Sequence, residues 1–256
     1  MKTLVIISDL HCGSIFGITP PTYWEKEKVR RSIQKETWQA YSKIASDWHN
    51  PNYLLANGDL IDGTQKKQGG AELTTPDRNI QCEMAFNAVT KFAAKNYLLT
   101  YGSPYHVSEN AEDFEYKLGK DLDATVGGRL FFEIDGVRFD ARHHIGGSGI
   151  PHGRATPILR EIMWNLIGEA IEGAPHIHCV IRSHVHYYLY VEVEPSRCAI
   201  ITPGLQVGRG RHGSRRCTGK ISWGAIRLKI DNGKIVDRET RICQLETNRP
   251  KLIKLK

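Results

Sequence analysis

The sequence lacks the features of a membrane, secreted or zinc-ribbon protein. No apolar run in its 256 residues approaches the ~20 residues that a membrane helix requires. The first apolar run, Leu4 to Ile7, is too short for the core of a secretory signal. None of its six cysteines forms a CxxC pair, which argues against a zinc ribbon and, for an intracellular chain, against a disulfide framework. We therefore predict a cytoplasmic protein with reduced thiols and no membrane partner.

Acidic residues are absent from the segment 204–220, although the chain as a whole has a formal net charge of only +7. The segment contains Arg209, Arg211, Arg215 and Arg216. One interpretation is an electropositive lip that attracts phosphate or nucleic acid. The other is a solvated loop, and a single sequence leaves both open. Under the first interpretation, Arg209 and Arg211 are candidate substrate-binding residues.

The composition, with 40% apolar and 25% charged residues, is typical of a globular protein. Internal repeats and low-complexity tracts are also lacking, so we predict a single domain over residues 1–256. In the first half, short β-branched runs alternate with amphipathic helical patterns, which predicts an α/β fold with a parallel sheet. The second half contains a hairpin signal at Asp135-Gly136, a helix over 157–172 and further strands over 179–242. These strands predict a second, largely antiparallel sheet packed against the first.

Polar side chains follow the predicted strands, where the carboxyl ends of a sheet form a ligand crevice. Side chains alternate along a strand, so Asp9-x-His11 and His184-x-His186 each direct a pair of side chains to one side. Carboxylates and imidazoles together suit Zn, Mn, Fe or Ni. The candidates for such a site are Asp9, His11, Asp59, Ser103, His106, His143, His144, His184 and His186.

The order of these groups resembles a known family. The sequence has DLH from Asp9, NGDLID around Asp59, GSPYH from Gly102, a strand ending in His-His, and SHVH ending at His186. This resembles the calcineurin-like metallophosphoesterases, whose signature is D-x-H, G-D, G-N-H, H and G-H-x-H. The resemblance implies a four-layer α/β/β/α sandwich of two mixed sheets flanked by helices. It also implies two divalent transition-metal ions, Mn, Ni, Zn or Fe.

By the same resemblance, each candidate residue receives a role. One ion would be held by Asp9, His11 and His186. Asp59 would bridge to a second ion, held also by His184 and by one of the two adjacent histidines. We favour His143 over His144 because it directly follows the last predicted residue of its strand, Arg142.

The third motif departs from the family pattern. Gly102 is followed by Ser103 instead of asparagine, and the histidine comes only at His106. A serine hydroxyl is a poorer ligand than an amide, so Ser103 would leave the second ion weakly held or completed by water. His106 could still be the general acid, and the alternative is an ordinary loop histidine. Phage-type members of the family have a comparable Gly-[Ser/Thr]-x-x-His variation, so the resemblance is to a phage or bacterial type of member.

Three further residues have competing interpretations. Arg142 could bind substrate phosphate through two parallel hydrogen bonds, or point outward from its strand. Asp62 could orient a ligand histidine, but we favour a helix or turn cap. Glu115, together with Glu109 and Glu112, is expected on a solvated helix face.

The function predicted from these residues is hydrolysis of phosphate mono- or diesters. A hydroxide bridging the two ions would be the nucleophile, with Asp59 and His106 as the catalytic residues. Its substrate would be a phosphorylated small molecule, a nucleotide or a nucleic acid. The alternatives are a metal-dependent DNA nuclease and a non-catalytic module that binds nucleic acid or protein on the same fold. The oligomeric state is left open.

Overall fold

Two β-sheets pack face to face, with helices on the outer face of each. The computed structural model describes residues 1–66, 69–107, 113–194, 196–208, 220–249 and 252. The strands are β1 Lys2–Ile7, β2 Tyr53–Asn57, β3 Tyr97–Thr100, β4 Thr125–Gly127, β5 Leu130–Ile134, β6 Val137–Ala141, β7 Cys179–Arg182, β8 Leu189–Glu194, β9 Arg197–Ile201, β10 Trp223–Asp231 and β11 Lys234–Cys243. The α-helices are α1 Lys28–Asp47, α2 Arg78–Thr90, α3 Pro104–Val107, α4 Phe114–Asp121 and α5 Thr156–Glu172. Of the helices described, none has both the length and the apolar character needed to cross a membrane.

The two sheets differ in where their parallel strands lie, at one edge of the first sheet and at the centre of the second. The first sheet has the order β11-β10-β1-β2-β3-β4, in which β1 to β4 run parallel. The second has the order β5-β6-β7-β9-β8, with β6, β7 and β9 parallel and antiparallel strands at both edges. The expected sandwich of two mixed sheets flanked by helices is therefore confirmed.

Two details of the second half differ from the sequence prediction. The second sheet is not largely antiparallel, because α5 carries the chain from the end of β6 back to the start of β7, and such a crossover makes the two strands parallel. The hairpin of β10 and β11 also belongs to the first sheet, where β10 pairs antiparallel to β1. A hairpin signal specifies its own pairing but not the sheet that it joins.

Local sequence signals account for the ends of the long helices. Glu27 caps α1 by accepting hydrogen bonds from the backbone N–H groups of Val29 and Arg30. Asp77 caps α2 in the same way, through Asn79 and Ile80. Helix α5 ends where Gly173 adopts a left-handed conformation, with φ of 67°.

Apolar side chains fill the spaces between the layers. Alternate residues of β1 face opposite sides: Leu4 and Ile6 pack between the two sheets, whereas Val5 and Ile7 pack against the helices. A third apolar cluster lies between α5 and the second sheet. Burial on both faces explains why the central strands are almost continuously apolar.

A buried ion-pair network fastens α5 to the second sheet. The fully buried Arg182, at the end of β7, lies 2.7 Å from Asp140 Oδ2 and 2.8 Å from Glu161 Oε2. Asp140 also accepts from Arg129 at 2.7 Å, and these arginines hold its pKa below the usual range even though burial acts to raise it. Glu161 belongs to α5, so the network fixes that helix against β6 and β7.

We expect Asp140→Ala to lower the free energy of unfolding by about 3 kcal/mol or more, because it removes one partner of a buried charge. Urea denaturation measures the change. The matched control is Glu133→Ala, which removes an exposed partner of Arg138 and should cost less than about 1 kcal/mol. Equal losses in the two variants would contradict a stabilising role for the network.

Candidate metal centre

The loops after four strands bring most of the predicted ligands to one edge of the sandwich. Parallel strands end at the same edge, and both sheets contribute here. The contributors are Asp9 and His11 after β1, Asp59 after β2, His143 after β6, and His184 and His186 after β7.

The first cluster of ligand atoms comes from Asp9, His11 and His186. One ligand atom of each lies within 4.8 Å of the others, and Asp9 Oδ1 is 3.1 Å from His186 Nε2. Nδ1 of His11 lies 2.8 Å from Asp62 Oδ1, which leaves its Nε2 for the cluster. Asp62 therefore contacts the predicted ligand His11, in line with the alternative that it orients a ligand histidine.

The second cluster comes from Asp59, His143 and His184. His143 Nε2 lies 3.0 Å from Asp59 Oδ2, and His184 Nδ1 lies 3.9 Å from the same oxygen. The Nδ1–H of His143 donates to the carbonyl of Asn57 at 2.8 Å, so Nε2 is the atom that faces Asp59. His144 is exposed and only its ring approaches His184, at 4.7 Å between centroids. The structure thus places His143, and not His144, against Asp59.

The two clusters adjoin, and their ligand atoms fit a bound cation. Asp9 Oδ1 and His143 Nε2, one from each cluster, are 4.0 Å apart. Buried polar atoms are normally hydrogen-bonded. Both oxygens of Asp9, Nε2 of His11 and His143, and Nδ1 of His184 are buried and make no hydrogen bond of normal geometry, although Asp9 and His143 have ion-pair contacts at 3.1 and 3.0 Å. Such a set of unpaired carboxylate oxygens and imidazole nitrogens is the donor set that Zn, Mn, Fe and Ni prefer.

Left-handed backbone conformations concentrate at these residues. Such φ values are uncommon outside glycine. Five residues of the two clusters nevertheless adopt them: Asp9 at 53°, His11 at 45°, Asp59 at 51°, His184 at 75° and His186 at 52°. None of them lies within a strand. We predicted that Asp9 and His11, and His184 and His186, point the same way because side chains alternate along a strand. In the structure these pairs converge because the chain turns sharply after each strand.

The charges of the two clusters shift each other's pKa values. Burial raises the pKa of Asp9, but the opposite charge of His186 outweighs it and the pKa falls to about 2. Burial lowers the pKa of His143, but the carboxylates of Asp59 and Asp9 raise it to about 10. The carboxylates are consequently ionised near neutral pH, and a proton on His143 partly balances them. A cation that binds there must displace such protons.

Ser103 supports Asp59 through two groups. Its backbone N–H donates to Asp59 Oδ1 at 2.6 Å, and its hydroxyl lies 3.0 and 3.1 Å from the two carboxylate oxygens. The preceding Gly102 allows this approach, since a Cβ there would lie 2.3 Å from Asp59 Oδ1. Ser103, predicted as a metal ligand, thus lies at the site, and its hydroxyl contacts the Asp59 carboxylate.

Glu115 is a supporting residue that the sequence reasoning missed. It is fully buried and accepts hydrogen bonds from the N–H groups of Leu60 at 3.0 Å and Gly102 at 2.6 Å, so it fixes the loops on both sides of Asp59. Burial raises its pKa to about 8. The expectation of a solvated face was therefore wrong for Glu115, while Glu109 and Glu112 lie outside the described residues. Glu115 lies three residues before the buried Leu118, on the same helical face, and this spacing is the sequence feature that indicates its burial.

The predicted acid His106 lies beside the first cluster. Its ring is 4.6 Å from that of His11, and its Nδ1 lies 3.0 Å from the carbonyl oxygen of Asp62 and 3.4 Å from Asp62 Oδ1. Its side chain is 20% exposed, so solvent reaches it. Asp62 therefore contacts both the predicted ligand His11 and the candidate acid His106.

Of the predicted substrate-binding arginines, Arg142 lies within the described residues. Arg142 donates to Glu161 of α5 at 3.1 and 3.2 Å, and phosphate binding by it stays a prediction. Arg209 and Arg211 lie outside the described residues.

A chain of buried hydrogen bonds joins the two sheets beneath the site. Asn57 Nδ2 donates to Ser183 Oγ at 2.6 Å and its Oδ1 accepts from Thr100 at 2.8 Å. Thr202 Oγ1 continues the chain, 2.6 Å from Ser183 Oγ and 2.7 Å from Ser8 Oγ. Serine, threonine and asparagine occur throughout the sequence, so no local pattern indicates this network.

No family model and no curated protein sequence matches the chain. Among solved structures, it is similar to Vps29 from Chaetomium thermophilum, with a TM-score of 0.49 and 8% identity over 90% of this chain and 86% of that one. For an archaeal phosphodiesterase the TM-score is 0.46 and the identity 14%, over 94% and 100% of the two chains. For Vps29 from Entamoeba histolytica in complex with Zn²⁺ the values are 0.45 and 9%, over 94% and 98%. Similarities of this degree carry no argument about activity.

We expect metal affinity to rise with pH, by about tenfold per unit for each proton displaced, over the range in which His143 is protonated. Because the pKa of His143 is raised to about 10, this range includes neutral pH. Titration calorimetry with Zn²⁺ or Mn²⁺, in buffers of different ionisation enthalpy, measures the protons released. His144→Ala is the matched control and should leave the release unchanged. Identical heats in all buffers would contradict the expected displacement.

Proposed function

We propose that this protein is a metal-dependent phosphoesterase that hydrolyses phosphate mono- or diesters at a dinuclear centre. The observation that carries the proposal is the pair of adjoining clusters, each with one carboxylate and two imidazoles. Unpaired polar atoms are costly to bury unless a ligand compensates them. A module that only binds nucleic acid or protein has no need of such atoms, so the enzyme is favoured over the non-catalytic alternative.

Each cluster would hold one cation. Asp9, His11 and His186 would bind the first, and His143 and His184 the second, with Asp59 between the two. Divalent Mn, Ni, Zn or Fe would supply a water molecule that ionises near neutral pH and positive charge for the phosphoryl oxygens. Ser103 and Glu115 would hold the Asp59 carboxylate and its loop in place.

His106 would protonate the leaving group. Its Nδ1 faces the Asp62 carbonyl, which leaves Nε2 to carry a proton to the departing alkoxide. Contact with Asp62 restricts rotation of the ring, and partial exposure allows the proton to be replaced from solvent.

The substrate proposed is a phosphorylated small molecule, a nucleotide or a nucleic acid. The deciding experiment assays phosphomonoesters, phosphodiesters and DNA after metal removal and reconstitution with Mn²⁺, Ni²⁺, Zn²⁺ or Mg²⁺. Hydrolysis of DNA at rates above those of the small esters would identify the nuclease. A reconstituted protein that contains no bound metal by elemental analysis, or hydrolyses none of these esters, would refute the proposal.

We expect Asp59→Asn to lower turnover by at least about 100-fold while circular dichroism stays unchanged. The amide removes the negative charge that would join the two ions, and a polar exchange of equal size should cost little packing. His144→Ala, at the exposed neighbour of the ligand His143, is the control and should retain activity. Asp59→Asn activity within tenfold of the unaltered chain would show that Asp59 does not join two ions.

We expect His106→Ala to lower kcat by about 10²–10⁴-fold on esters with poor leaving groups. The loss on p-nitrophenyl esters should be much smaller, because an activated leaving group hardly needs a proton. Steady-state rates on a series of leaving groups measure the difference. Equal losses across the series would exclude His106 as the acid.

A further inference from the structure

Gly204 lies beside two of the predicted ligands, Asp9 and His186. It follows β9 and is buried. A Cβ atom at this position would lie 2.9 Å from Cγ and 3.2 Å from Nδ1 of His186, and 3.3 Å from Cβ of Asp9. Non-bonded carbon atoms pack at about 3.5–4.0 Å, so an added methyl group would overlap the imidazole ring. The absence of a side chain at Gly204 therefore makes the space in which the ring of His186 lies.

Hydrogen bonds on both sides fix the backbone of Gly204. Its N–H donates to the carbonyl of Ser222 at 3.1 Å, and its own carbonyl accepts from the N–H of Gly224 at 3.3 Å. The N–H of the next residue, Leu205, lies 3.2 Å from the carbonyl oxygen of Asp9. The segment cannot withdraw from a new side chain without breaking hydrogen bonds of buried backbone groups, which is costly.

The backbone of His186 is attached to the same segment. Its carbonyl accepts from the N–H of Ser222 at 2.8 Å, and Ser222 is the residue whose carbonyl binds Gly204. Ser222 directly precedes β10 of the first sheet, whereas His186 follows β7 of the second. Gly204 and Ser222 thus hold a ligand of the second sheet against Asp9, a ligand of the first, with 3.1 Å between His186 Nε2 and Asp9 Oδ1.

We propose that Gly204 is a positioning residue of the first cluster, and that its lack of a side chain sets the affinity for the first ion. The inference rests on the proposed function, because it concerns one of the two cations proposed there. The three atoms nearest to an added Cβ all belong to Asp9 and His186. A side chain at Gly204 therefore acts on the first cluster and leaves the second in place.

Titration calorimetry of the full chain with Mn²⁺ tests the proposal in the variant Gly204→Ala. The affinity for one of the two ions should fall by about 10–100-fold, because the residue that orients a ligand is lost. The other ion should bind as in the unaltered chain. The φ of Gly204 is not left-handed, so the exchange tests space and not backbone strain.

Electron paramagnetic resonance distinguishes this selective loss from a general structural effect. Two neighbouring Mn²⁺ ions couple to each other, and their spectrum is broad. At the same Mn²⁺ concentration, Gly204→Ala should instead give the resolved hyperfine lines of an isolated ion. Weakening of both sites by the same factor, with no such lines, would overturn the assignment of Gly204 to the first ion.

Gly146→Ala is the matched control. Gly146 lies three residues after the ligand His143, and its φ is not left-handed either. Among the described residues, no atom lies within 4 Å of a Cβ added at Gly146. The same exchange should therefore leave the binding of both ions unchanged at this position.

A double-mutant cycle on the metal-free chain tests the contact itself. Gly204→Ala should lower the melting temperature, because the methyl group overlaps the ring of His186. His186→Ala vacates that space, so adding Gly204→Ala to the His186→Ala chain should cost much less. The double variant also keeps the test available if Gly204→Ala alone does not fold. Equal costs with and without the imidazole ring would overturn the proposal.

The calorimetry separates failure of this inference from failure of the proposed function. An unaltered chain that binds no Mn²⁺ would refute the proposed function, and the inference with it. An unaltered chain that binds two ions, with a Gly204→Ala variant that binds both equally well, would refute the inference alone.

Discussion

The hydrogen bonds of Asn57 to the second sheet hold the two halves of the site together. Apolar packing drives the sheets together but is non-directional, so it does not specify where one strand end lies relative to another. Asn57 supplies that direction. Its carbonyl accepts from His143 Nδ1 at 2.8 Å, and its amide donates to Ser183 and to the Arg142 carbonyl. Asn57 is two residues before Asp59 and also hydrogen-bonds to His143. It therefore fixes the positions of both residues in the 3.0 Å contact between Asp59 and His143.

Ionised and neutral acids have different tasks around this contact. Asp9 and Asp59 stay ionised because histidine charges lower their pKa values against the effect of burial. For Glu115, burial and the nearby Asp59 charge outweigh the lowering effect of its two backbone N–H donors and of His143, and its pKa rises to about 8. It can therefore support two backbone N–H groups without adding a full negative charge to those of Asp9 and Asp59 in the two clusters above it.

The sequence predicts those parts of the molecule that depend on short segments. The parallel strands of the first sheet and the positions of Asp9, Asp59 and His143 at strand ends follow from local apolar runs and the polar residues after them. Features that depend on distant pairing were not predictable. Nothing near β10 indicates that it pairs with β1, and Arg142 is drawn to Glu161 on a helix that follows a loop. Asp62 resembles a cap until the fold brings His11 beside it.

The left-handed turns at the ligands have a consequence for how the chain tolerates change. Each non-glycine residue in this conformation costs about 1 kcal/mol or more relative to a relaxed backbone, and five of them surround the buried unpaired atoms. The arrangement of these side chains thus lowers the stability of the fold. Replacing His186 or Asp9 with glycine would relieve backbone strain, so each of these polar side chains is retained at a local cost in stability. A higher melting temperature of a glycine variant at either position would report the release of that strain.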